Sequence, residues 1–137
     1  MLLSLGYWKS RMQTKVLLSI RPRFAEQIFA GLKRYEFRRV LFRSTCVSKI
    51  LVYASHPVQR VVGEFEVAGI LALEARELWK KTGRHSGIQK QYFDDYFEGR
   101  RIAYAIEISL PRKYTKPVKL EQLFDFSRPP QSFRYIK

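Results

Sequence analysis

Apolar positions along the chain fall into short runs whose spacing switches between strand and helix periods. Residues 15–20 (KVLLSI) form a β-branched and leucine run that predicts a buried first strand. Arg21-Pro22 stops it, and proline suits the first turn of a helix. Over residues 22–30, Phe24, Ile28 and Phe29 recur at helical spacing with Ala25 beside them, and Gly31 is placed as the C-terminal cap. Residues 34–42 alternate in part; the change of phase between Phe37 and Val40 predicts a bulge or turn near Arg38-Arg39. Residues 49–54 (KILVYA) read as a central strand, Ser55-His56-Pro57 as a turn, and residues 61–70 as an alternating strand whose polar face carries Glu64 and Glu66. Helical spacing returns at 73–81 and 88–97. The second segment shows a stripe of Ile88, Tyr92, Phe93, Tyr96 and Phe97, with Ser86 as candidate N-cap and Gly99 as its end. Residues 102–110 (IAYAIEISL) form a further strand. Pro111, Pro117 and Pro129-Pro130 then mark loop, with one helical turn near 120–124.

The order is β-α-β-β-β-α-α-β followed by an irregular tail. It lacks the regular βαβα alternation of a doubly wound sheet. The expected class is α+β: a mixed or antiparallel sheet curled into a β-barrel, with flanking helices. The 137 residues suit one domain. Its expected bounds are 14–137, behind a loosely ordered leader at 1–13. That leader is apolar from Met1 to Trp8, but Lys9 and Arg11 follow the run, the reverse of a signal peptide. No run approaches the ~18–20 apolar residues of a membrane span.

Charge adds a partner to this picture. The formal net charge is +14. Residues 1–62 hold twelve Lys and Arg against two Asp and Glu, a balance of +10. Residues 63–109 hold seven against eight, and residues 110–137 seven against two. The basic charge thus belongs to the N-terminal half and the tail, and patchy charge of this kind points to a polyanion. RNA or a nucleotide is the expected partner, with DNA as an alternative and no membrane. One cysteine, Cys46, excludes an internal disulfide; with His56 and His85 far apart, neither a metal site nor a cofactor is expected. The same cysteine usage fits a reducing, cytoplasmic setting.

The segment Gly31-Leu32-Lys33-Arg34-Tyr35-Glu36-Phe37-Arg38-Arg39 carries a resemblance. A helix ending in Gly-x-Lys, followed by x-x-Glu-x-Arg on a strand, resembles the hallmark of ASCH domains. Other stretches agree in order: Leu17 to Pro22, Val52-Tyr53-Ala54-Ser55, Val62-Gly63-Glu64-Phe65-Glu66, Ser86-Gly87-Ile88, Ala103 to Ile106, and Pro129 to Tyr135. They span about residues 14–136. The resemblance implies a PUA-like β-barrel associated with RNA, in a prokaryotic and phage subgroup described as transcriptional regulators. It also implies an alternative, because some related proteins are amidohydrolases acting on acetylated cytidine and others ribonucleases. In the amidohydrolase branch the motif resembles Lys-x-x-Thr; here Glu36 stands at the threonine position, and a carboxylate cannot serve as that hydroxyl.

Three kinds of chemistry are expected from named residues. Arg21, Lys33, Arg38, Arg39, Arg43 and Arg60 supply phosphate contacts, lysine as a point charge and arginine as a planar fork. Tyr35, Tyr53 and Phe133 are candidates for stacking on single-stranded bases. Ser55 and Arg134 complete the nucleic-acid-binding set of Arg21, Lys33, Arg38, Arg39 and Tyr53. Lys33 and Glu36, three apart, are the catalytic candidates for proton transfer, with Glu64 as a potential second carboxylate. The alternative for that pair is an ion pair supporting the loop. The leading function is a cleft that binds RNA or a nucleotide; the runner-up is a small metal-independent hydrolase of a modified nucleoside or of RNA.

Overall fold

The computed structural model describes residues 14–136; the expected leader lies outside the described residues. Strand β1 (Thr14–Ile20) leads into helix α1 (Pro22–Phe29), then strands β2 (Tyr35–Arg38), β3 (Val47–Ala54) and β4 (Arg60–Leu73). Helix α2 (Ala75–Thr82), a 3-10 turn (Gly83–His85) and helix α3 (Lys90–Phe97) follow. Strand β5 (Ala103–Val118), helix α4 (Leu120–Leu123) and strand β6 (Phe133–Ile136) complete the order.

The six strands form one mixed sheet in the order β2-β5-β4-β3-β1-β6, with β1 and β3 parallel and every other neighbouring pair antiparallel. The expected α+β class is present, and so are the flanking helices. The ladder does not close into a barrel. The outer edge of β1, where β2 would have to pair, is taken by β6, with Leu18 opposite Phe133 and Lys15 opposite Ile136. Bulges at Val52/Tyr53 and at three points of the β4–β5 pair bend the sheet. Its β2 edge still reaches β1, because Arg38 Nη2 donates to the Ser19 carbonyl at 2.7 Å.

Several element ends differ from the sequence reading, each for a local reason. Of the bulge or turn expected near Arg38-Arg39, it is the turn that forms: β2 ends at Arg38 and the chain bends at Arg39 and Val40. Strand β5 runs through Pro111 and Pro117, where the sequence predicts loop. Both prolines fall in register shifts against β4, where no ladder N–H is needed, and Leu110 takes φ +48°. Helix α3 begins at Lys90, since Gly87 has φ +73° and Ser86 does not cap it. The Ser86 hydroxyl instead donates to the Gly83 carbonyl at 2.8 Å and accepts from the Ile88 amide. The tail contains β6, whose Phe133, Tyr135 and Ile136 are suited to a pleated edge.

The centre of β1, Val16-Leu17-Leu18, is continuously apolar because both faces are covered. Val16, Leu18 and Ile20 pack with Phe24, Ala25 and Ile28 of α1 and with Ile50, Val52, Phe65 and Ile106. Leu17 points to the other face, with Tyr53, Val61 and Leu120 under the α4 segment. A separate cluster of Phe37, Leu78, Phe93, Phe97, Ala103 and Ala105 seats α2 and α3 against the β2–β5 edge. Each fully buried valine, leucine, isoleucine or phenylalanine among these contributes about 1.5–3 kcal/mol. Among the described residues no helix is long and apolar enough to cross a membrane.

Candidate nucleic-acid cleft

Helix α1 forms because Pro22 presets its first turn and Phe24, Ala25 and Ile28 share one buried face. It ends at Gly31, whose φ of +79° is open to glycine at no steric cost. The following amides of Leu32 and Lys33 both return to the Gln27 carbonyl, at 2.9 and 3.1 Å. This tight exit turns the Lys33 side chain inward. Strand β2 then pairs with β5, Glu36 opposite Ile106 and Arg38 opposite Tyr104. The period of two puts Glu36 and Arg38 on one face, with Arg38 Nη2 and Glu36 Oε2 4.0 Å apart.

These residues line a cleft of about 630 Å³. Its cations are Arg21, Lys33, Arg38, Arg39 and Arg100, against the single carboxylate of Glu36. Lys33 is 2% exposed and Glu36 5%. The Lys33 ammonium donates to the Ser86 carbonyl at 2.8 Å and lies 5.0 Å from the Phe24 ring centroid and 4.9 Å from that of Phe37. Both rings face it with their negative π-systems. Burial lowers the Lys33 pKa from its ordinary value of 10.5; the Glu36 carboxylate opposes this and the Arg38 guanidinium adds to it. Arg38 Nε is buried with no hydrogen-bond partner. Ser19 and Ser132 form one rim, joined by the Ser19 amide donating to the Ser132 carbonyl at 3.0 Å. Tyr92 and Tyr96 of α3 also line the cleft. Among the described residues no group of three His, Cys, Asp or Glu side chains gathers.

The family model for the ASCH domain matches residues 18–117. The chain belongs to the ASCH family. It is 31% identical over 126 residues to a Zymomonas mobilis protein named ASCH domain-containing ribonuclease, covering 90% of this chain and 84% of that one. The crystal structure of ASCH from Zymomonas mobilis superposes with a TM-score of 0.81 at 31% identity, over 90% of this chain and 87% of that chain. A longer Ureaplasma parvum protein named large ribosomal subunit protein uL22 is 28% identical over 125 residues; this chain spans 39% of it.

The ASCH cleft brings together Arg21, Lys33, Glu36, Arg38, Arg39 and Ser55 of the residues singled out from sequence. Tyr53 lies outside it, 4% exposed among Leu17, Val61 and Leu120. Arg134 also lies outside, its guanidinium 3.6 Å from the Phe126 ring centroid. Arg43 and Arg60 do not line the cleft. Tyr35 packs against the α2–α3 cluster, and Phe133 sits edge-on to Phe42 and Tyr135. Glu64 is not beside Lys33. It joins β3 to β5, accepting from Lys49 at 2.9 Å, Arg112 at 2.8 Å and Tyr114 at 2.9 Å. His56 and His85 are exposed.

Sequence reasoning passed over Tyr92, Tyr96, Arg100, Ser19 and Ser132. The tyrosines were counted into the apolar stripe of α3, yet the stripe divides. Phe93 and Phe97 are buried, whereas Tyr92 and Tyr96 are half-buried at the cleft. The available signal was the hydroxyl, since a tyrosine favours a site with one polar, wetted end.

Proposed function

We propose that this ASCH domain is a ribonuclease that holds single-stranded RNA in the Lys33–Arg38 cleft. The observation that carries the reading is Arg38. One of its Nη groups is fixed on Ser19, while its buried Nε–H has no partner. An orphaned buried donor costs ~1–3 kcal/mol, and a phosphate oxygen would satisfy it. The four further cations of the cleft, Arg21, Lys33, Arg39 and Arg100, suit the same ligand. The name of the Zymomonas mobilis relative supports RNA as the polymer.

The proposed chemistry is an attack by the RNA's own ribose. The 2′-oxygen of a ribose attacks the adjacent phosphorus, and the bond to the 5′-oxygen breaks. Glu36 takes the 2′-hydroxyl proton, and the Lys33 ammonium gives a proton to the leaving 5′-oxygen. Arg38 neutralises the charge that builds on the non-bridging oxygens. The products are a 2′,3′-cyclic phosphate and a 5′-hydroxyl. The lowered Lys33 pKa makes its ammonium a better proton donor than an ordinary lysine. DNA, without the 2′-hydroxyl, would bind but not be cut.

The test is incubation of the chain with a short single-stranded RNA, its DNA counterpart and acetylated cytidine. Cleavage of the RNA alone, lost in Lys33→Ala, is expected. Cleavage that survives Lys33→Ala, or RNA binding unchanged by Lys33→Ala with Arg38→Ala, overturns the reading. Binding through these cations should also weaken steeply with salt.

A further inference from the structure

Helix α3 presents two rings to the cleft that the phosphate chemistry does not use. Tyr92 and Tyr96 lie one turn apart with nearly parallel planes, 11° between them and 6.5 Å between centroids. The helix is seated chiefly by the buried Phe93 and Phe97, while Tyr92 and Tyr96 pack only in part against the core and stay half-exposed at the cleft. Their orientations are nonetheless held. Tyr92 is edge-on to Phe24 at 5.6 Å, and the Tyr96 hydroxyl donates to the Phe37 carbonyl at 3.3 Å. The rings of these two residues, Phe24 and Phe37, also flank the Lys33 ammonium, so the aromatic wall and the buried cation rest on the same pair of residues. Cations extend the wall at each end: Arg39 lies 4.7 Å from the Tyr96 centroid, and Arg23 lies 5.6 Å from that of Tyr92.

A row of parallel aromatic rings continued by guanidinium groups is the arrangement on which unpaired bases stack. It lines the same cleft as the unpartnered Arg38 Nε, so a strand whose phosphate reaches Arg38 brings its bases to this wall. We propose that Tyr92 and Tyr96 form a nucleobase subsite that restricts this cleft to unpaired nucleotides. The proposal rests on the RNA reading above and deepens it. Within a duplex each base face is already covered by its neighbours, and a paired strand cannot offer one to the wall. All four bases have a π-face, so the subsite discriminates paired from unpaired nucleotides more than one base from another.

The experiment is equilibrium binding, by fluorescence anisotropy, of a labelled single-stranded RNA, an abasic ribose-phosphate oligomer of the same length and a blunt RNA duplex. The proteins are the unaltered chain, Tyr92→Leu, Tyr96→Leu, and the ring-preserving Tyr92→Phe and Tyr96→Phe. Each leucine variant is expected to weaken single-stranded RNA by about 5- to 150-fold, the range for losing one stacked base. Abasic binding and the salt slope should stay unchanged, Tyr92→Phe should keep its affinity, and Tyr96→Phe, which keeps the ring but loses the bond to the Phe37 carbonyl, should bind more tightly than Tyr96→Leu. Leucine variants that bind as the unaltered chain does, or that weaken base-bearing and abasic oligomers equally, overturn the subsite. If the leucine variants fail to fold, equal affinity of the unaltered chain for base-bearing and abasic oligomers overturns it. No binding of the unaltered chain to any oligomer would instead bring down the RNA reading itself.

Discussion

The Lys33 ammonium donates to the carbonyl of Ser86, 53 residues away, at 2.8 Å. This bond ties the exit of α1 to the loop ahead of α3, the two segments that form floor and wall of the cleft. Gly87 makes the approach feasible. A Cβ there would lie 2.9 Å from Gln27 Oε1 and 3.0 Å from Lys33 Cβ, in a backbone conformation with φ +73°. Gly87→Ala should therefore displace Lys33 and reduce RNA cleavage along with thermal stability.

Replacing Lys33 separates its chemical from its structural role. In Lys33→Met the Ser86 carbonyl loses its partner, a cost of about 1–3 kcal/mol, while the penalty for burying a cation disappears. Unfolding stability is expected to stay equal or rise, and RNA cleavage to fall by about 10²–10⁴-fold. Denaturant unfolding and initial rates on one preparation check both. A marked loss of stability would mean that the lysine chiefly holds the loop.

Cleavage should carry an alkaline limb set by Lys33. Its ammonium form donates the proton, so activity falls as pH rises through its pKa. That pKa lies below 10.5 because of burial. Stability moves the other way: between the lowered folded value and the unfolded one, the unfolded chain binds more protons, so stability rises with pH across that window. A pH profile of kcat/KM with its alkaline limb at or above 10.5 would contradict the assignment.

Gly63 has no room for a side chain. A Cβ there would meet the Phe29 ring and the Arg112 carbonyl, the latter at 2.5 Å. The flexible ring can move, but the carbonyl belongs to the β4–β5 pair. Gly63→Ala should cost about 1–3 kcal/mol by overpacking. Chemical denaturation measures this, and an unchanged midpoint would show that β5 yields.

On the opposite side of β4, Tyr114 donates to Glu64 and its pKa is pushed up to about 12, by burial first and then by that carboxylate. A raised pKa means the folded state keeps its proton longer than the unfolded state. The contribution is complete below the ordinary value of 10.0 and is lost as pH rises toward about 12. Tyr114→Phe should flatten that alkaline decline, as followed by thermal unfolding at several pH values, with RNA cleavage unchanged at neutral pH.

Much of the fold was legible because local rules agreed with one another. Pro22 and Gly31 bounded α1, and the periods of 3.6 and 2 placed the main helices and strands. The open sheet in place of a closed barrel, the long β5 and strand β6 were not legible. Each depends on which edge a strand finds: β6 takes the edge of β1 that closure needed, and bulges opposite β4 absorb Pro111 and Pro117.

For the cleft, the short-range part was readable. Lys33, Glu36 and Arg38 lie within six residues, and strand alternation alone puts the last two on one face. Tyr53 and Tyr92 show where such reading stops. Both are tyrosines in apolar surroundings, yet one is buried under α4 and the other lines the cleft. Chain-local chemistry determined most of the elements, the basic bias and the Lys-x-x-Glu-x-Arg segment, because these follow from backbone propensity and residue spacing. The burial of Lys33, the orphaned Arg38 Nε and the tyrosine wall were decided by tertiary structure. Desolvation and cleft geometry arise from segments as distant as Ser19, Ser86 and Ser132 packing together, and no local pattern encodes that meeting.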